Sequence, residues 1–155
     1  MQLKQLLERW ELTGLKIKVP YLEMEWAPKD EDKAAAWELY VEMLTRVATQ
    51  RLAPGTGLEP AALDSVYQLF PLTRSILKGH GRESINFAKI AIVVLNQIVR
   101  PFTAKWHLRM NDGALDAARI EDFRAELADL QSRLRNYTRL LADMAGVEDL
   151  TDLEG

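Results

Sequence analysis

The chain has no cysteine, only two histidines and no long uninterrupted apolar run. Each absence closes off a class of chemistry. Without thiols there can be no disulfide, thiolate nucleophile, Cys-ligated zinc or iron–sulfur cluster. The histidines, His80 and His107, stand in neither HExxH nor ExxH spacing, so no metal and no cofactor is expected. No GxSxG elbow is present for Ser/His/Asp hydrolysis. Gly79-His-Gly81 and Pro54-Gly-Thr-Gly57 are too short for phosphate loops and read as turns. The richest apolar window, Ile85 to Phe102, is interrupted by Asn86, Lys89, Asn96, Gln97 and Arg100. It falls short of the ~18 consecutive apolar residues of a membrane span. Charges also break up the first residues, where a leader would carry its apolar core. The expectation is a soluble, cytoplasmic protein with no membrane partner. A formal net charge of −3 leaves no broad basic field, so no general nucleic-acid binding is expected.

What is present is helical periodicity. At 155 residues the chain fits one domain with one core. Leu3, Leu6, Leu7 and Trp10 define a short opening helix, with Gly14 as its stop. From Leu15 to Trp26 the period changes to two. Leu15, Ile17 and Val19 alternate with lysines, then Leu22, Met24 and Trp26 alternate with glutamates, and the parity switches beside Pro20. This predicts an extended, strand-like arm with a bend and no second strand to pair with. Ile17, Val19, Tyr21, Leu22, Met24 and Trp26 are its candidate partner-binding residues. Unpaired edges recruit other chains, so the arm either lies over its own helices or meets another protein or a second copy.

Four long helices are expected next. Asp30-Glu-Asp32 is an acidic helix entry, after which Trp37, Tyr40, Val41, Leu44, Val47 and Ala48 fall on one face. Ala53 to Gly57 reads as a loop. A helix from about Pro60 to Lys78 should kink or divide at Pro71. A third runs from about Arg82 to Arg109 and is apolar nearly all round from Ala88 to Val99, which predicts a central position. The last, about Asp116 to Ala145, carries an unbroken heptad seam of Ile120, Phe123, Leu127, Leu130, Leu134, Tyr137, Leu141 and Met144. Arg133, Arg135 and Arg139 lie among acids and read as a solvated face. The expected fold is therefore all-α: a four-long-helix bundle over 28–146, preceded by a short helix and arm over 1–27 and followed by an acidic tail over 147–155.

One stretch, Asn96 to His107, concentrates the polar groups of the third helix. At 100° per residue Asn96, Arg100, Thr103 and His107 share one line, a polar stripe suited to a ligand or an interface. Pro101 withholds the amide that would reach the Gln97 carbonyl, so a kink should fall inside it. Arg100 and His107, with six residues between them, resemble the R-X4–6-H motif of HEPN-type ribonucleases, departing from it at Pro101. That resemblance implies an all-α, dimeric, metal-independent ribonuclease in which Arg100 and His107 act on RNA. The alternative is structural: Asn96 and Arg100 satisfy each other and His107 caps a solvated helix end. No catalytic residue is favoured on this reading. The leading expectation is a non-enzymatic helical adaptor or accessory subunit, binding another protein or itself. The ribonuclease and a small-ligand-binding bundle stand as alternatives.

Overall fold

A left-handed Gly146 (φ 71) and an Asp116 side chain that accepts from the Arg119 amide at 2.9 Å bound the longest helix. Both caps of the computed structural model's longest helix are of the kinds expected at helix ends. The structure describes residues 1–46 and 59–153. The protein is all-α, with no strand among the described residues. Its helices are α1 (Leu3–Arg9), α2 (Val19–Leu22), α3 (Asp30–Leu44), α4 (Glu59–Tyr67), α5 (Leu69–His80), α6 (Ile85–Val93), α7 (Arg100–Asn111) and α8 (Ala117–Ala145). A 3-10 turn over Gly81–Ser84 joins α5 to α6, and a π turn over Val94–Val99 joins α6 to α7. The expected helix positions Val47 and Ala48 and the loop from Ala53 to Gly57 lie outside the described residues.

The core sits where α3 meets α8, α5 and α6. The heptad seam of α8 is buried from Phe123 through Met144, with Ile120 half-buried at its entry. On α3 the buried side differs from the one expected. Ala35, Ala36, Leu39, Tyr40 and Met43 are buried; of the expected face, Tyr40 is buried and Leu44 packs against the core, while Trp37 and Val41 are exposed. Two adjacent alanines let α3 approach its neighbours closely, and that close side outcompetes the larger, more apolar one. Asp32 is fully buried and accepts from the backbone amides of Lys29 and Phe87, both at 2.8 Å, and from the Asn86 side chain at 3.1 Å. It ties the start of α3 to the start of α6.

Pro71 acts one turn earlier than a simple kink at its own position. It cannot donate to the Tyr67 carbonyl, and the helix divides at Gln68. Pro101 acts similarly: it cannot reach the Gln97 carbonyl, and the residues just before it widen into the π turn. The helical run Glu59–Asn111 is long and apolar enough by composition to cross a membrane, but half of its apolar window is buried inside this body.

The arm differs from the expected strand. Val19–Leu22 forms one helical turn with Pro20 at its second position, where a missing amide is harmless. The parity switch is this turn. Ile17, Leu22, Met24 and Trp26 are half-buried against the protein's own core, while Val19 and Tyr21 are exposed. The end of the arm also finds its mate at the N-terminus. The Leu3 amide donates to Met24 (3.0 Å), the Trp26 amide donates to Met1 (2.7 Å), and Gln2 and Glu25 form an isolated antiparallel bridge. Gly14 (φ 74) turns the chain into the arm rather than ending α1, which stops earlier, at Arg9. The tail folds back: the Leu150 amide donates to the Tyr40 hydroxyl, and Asp149 and Asp152 both face Arg139.

Candidate functional site

Among the described residues no helix lies over the outer side of α6. Ile85, Lys89 and Ile92 recur at steps of four and three, so they share one stripe. Facing them are Leu3 and Leu7 of α1 and Leu15, Ile17 and Tyr21 of the arm. Together with Ile90 and Val93 they enclose an open groove of about 290 Å³, at the small end of ligand-sized cavities. Tyr21, Ile85 and Ile92 on its rim are 50%, 51% and 50% exposed, an apolar surface around one groove that no other described residue covers. The expectation of a fully central helix from Ala88 to Val99 is therefore met on one side only.

Lys89 is the one charged residue lining the groove. Its ammonium lies 3.6 Å from the Met24 sulfur and 6.0 Å from the centre of the Tyr21 ring. It forms no ion pair among the described residues. A thioether and a ring face are weak partners for a cation, so the groove presents an oily floor and one half-buried positive charge. The arm crosses beside it, with a second hollow of about 220 Å³ on its other flank. It is pinned by Gln97 of the π turn. The Gln97 side chain accepts from the Lys16 amide (2.7 Å) and donates to the Lys16 carbonyl (2.9 Å), as a neighbouring strand would.

The polar stripe runs against the α4–α5 side, where the Tyr67 and Phe70 rings pack together at 5.6 Å. Arg100 donates to the Asn96 side chain at 3.2 Å and stacks on Phe70 at 4.6 Å. Thr103 is buried beneath α4, and its hydroxyl donates to the Arg100 carbonyl at 3.2 Å. His107 meets the edge of Tyr67 at 5.2 Å. Arg100 and His107 are thus engaged by two aromatic rings that pack on each other, and no hydrogen bond links them directly.

Sequence reasoning passed over His80. Its Nδ1 lies 2.7 Å from Glu31 and its Nε2 2.8 Å from Glu38, with the side chain 14% exposed. Both ring nitrogens donate when the ring is charged. The hydrogen bond to Glu31 raises its pKa above the ordinary value; partial burial opposes this, and Glu38 adds to the rise. The signal was available: Glu31 and Glu38 are seven apart on one side of α3. No site for a metal ion formed by three or more His, Asp or Glu side chains occurs among the described residues. The Trp106 indole N–H and the Tyr137 hydroxyl are buried without a hydrogen-bond partner. Comparison of the chain with protein-family models, with curated proteins and with solved structures finds no match.

Proposed function

We propose that the protein is a non-enzymatic helical interaction subunit whose docking surface is the groove between α1, the arm and α6. The scaffold is a four-long-helix bundle, with α3, the α4–α5 run, the α6–α7 run and α8 as its long members and the arm laid across one side. The observation that carries this reading is the uncovered rim of Tyr21, Ile85 and Ile92 around an apolar floor. Large apolar side chains left half-exposed together are characteristic of a surface that a partner buries. Of the residues expected to engage a partner, Ile17 and Tyr21 line the groove and Val19 lies exposed beside it on the arm. Leu22, Met24 and Trp26 instead hold the arm down.

A photo-cross-linking residue placed at position 92 tests the proposal in cells, with position 108 as the control because Leu108 is exposed away from the groove. The expected result is one defined cross-linked protein from position 92 only. That protein, once purified, should bind the wild type and not Ile92→Asp. Cross-linking from position 92 no stronger than from position 108 overturns it.

A further inference from the structure

We infer that the groove receives an amphipathic helix from a different protein, one whose apolar face carries a carboxylate set against Lys89. This rests on the docking reading above and adds the chemistry of the partner.

Three observations select this occupant. The first is charge. Lys89 is half-buried, lines an otherwise uncharged and mostly aliphatic groove, and among the described residues its ammonium meets the Met24 sulfur and the Tyr21 ring. An arriving carboxylate would find it in surroundings poorer in water than the open surface, where an ion pair is stronger and sets register and partner choice. The second is extent. Tyr21, Ile85 and Ile92 line the hollow of about 290 Å³ and are each about half exposed, so the apolar surface extends from the hollow onto its rim. A helix presenting apolar residues at i, i+3, i+4 and i+7 covers floor and rim together. The third is shape. A second copy related by two-fold symmetry would set one concavity against another and bring Lys89 toward Lys89, which leaves both grooves unfilled and two like charges facing.

The test pans the full chain against a displayed library of helical peptides about 20 residues long, roughly 30 Å of helix. Wild type, Lys89→Glu, Lys89→Gln and Ile92→Asp are compared, each checked for native circular dichroism. Wild type should enrich an apolar helical face with Asp or Glu at one fixed place. Lys89→Glu should reverse that place to Lys or Arg, and Lys89→Gln should erase the preference. Mismatched charge pairs should bind about tenfold or more weakly than matched ones. Ile92→Asp should remove the selection altogether.

If wild type shows no acidic position, or Lys89→Glu leaves it unchanged, the inference fails while the docking reading stands. If Ile92→Asp selects the same peptides, both fail. Sedimentation that shows a dimer of the wild type, lost in Ile92→Asp, assigns the groove to a second copy and overturns the inference. So does tighter binding of a fatty acid than of any selected peptide.

Discussion

Replacing Asp32 by alanine should cost more stability than any other change of a charged side chain at the start of α3. The carboxylate is fully buried and accepts three hydrogen bonds, two from backbone amides (Lys29 and Phe87) and one from the Asn86 side chain. Deleting it strands a buried Phe87 N–H, and an unsatisfied buried donor costs about 1–3 kcal/mol. Loss of the charge-assisted bonds to Lys29 and Asn86 adds to this, giving about 3–5 kcal/mol in all. Asp32→Asn keeps one acceptor oxygen and should recover part of the loss. Asp30, exposed in the same first turn, interacts chiefly with the helix dipole, so Asp30→Ala should cost only about 0.3–1 kcal/mol. Urea unfolding followed by far-ultraviolet circular dichroism separates these cases. With a slope of about 2 kcal/mol per molar urea, Asp32→Ala should lower the midpoint by about 2 M. A drop below about 0.5 M, or one equal to that of Asp30→Ala, would refute the claim that this carboxylate joins the two helix starts.

Three further outcomes follow from the geometry. Because His80 gains protonated-state partners on folding, its contribution is complete below about pH 6.5 and is lost as pH rises through its higher folded pKa; titration by NMR should place that pKa above 6.5, with Glu31→Gln lowering it more than Glu38→Gln, and an equal effect of the two would show that Glu31 is not the dominant partner. The Tyr137 hydroxyl is buried with no partner, and burial pushes its pKa far up, so Tyr137→Phe should be neutral or stabilising by about 1 kcal/mol; a loss of 1 kcal/mol or more in urea unfolding would reveal a bond that this hydroxyl makes. Gln97→Ala removes both bonds to Lys16 and should raise hydrogen exchange at the Lys16 amide by about 5–30-fold, equivalent to 1–2 kcal/mol of local opening, with little change in global stability.

The helices of the α-rich body were legible because their periodicity and caps agree. The α8 seam shows this best: eight positions at alternating steps of three and four, an Asp at its start and a Gly after its end, and a structure that buries seven of the eight. The arm was legible in half. Its alternation survives in the burial of Ile17, Leu22, Met24 and Trp26, but period two was read as a strand when Pro20 makes a helical turn. The mate of its final residues, Met1 to Leu3, was hidden because those residues read as helix. The groove was missed for a different reason. An all-round apolar helix implies burial on all sides, and whether the fold has enough elements to cover every side is a property of the assembled body. The α3 face was misread because large side chains were given more weight than the close packing that Ala35 and Ala36 permit.

The π turn in which the polar stripe begins, at Asn96, also bears on the groove. From Val94 the buried residues include 94, 98, 102 and 106, three successive steps of four, with Val99 and Thr103 buried beside them. Each such step overruns a regular α-helix by about 40°, so an unbroken helix would carry Trp106 about 120° away from Val94. The π turn over Val94–Val99 is wider than an α turn and absorbs much of that drift, which keeps Phe102 and Trp106 on Phe123 of α8. A wheel drawn at a constant 100° cannot contain this turn. The same widening sits where Gln97 reaches the Lys16 backbone, so the arm is anchored at the C-terminal end of α6 and at the N-terminus by Met1 and Leu3. Between those two anchors the chain passes beside α6 without covering Ile85, Lys89 and Ile92. The opening therefore follows from where the arm is tied: Pro101 leaves the Gln97 carbonyl without its helical donor, Gln97 lies in the π turn, and its side chain holds the arm to one side of Ile85, Lys89 and Ile92.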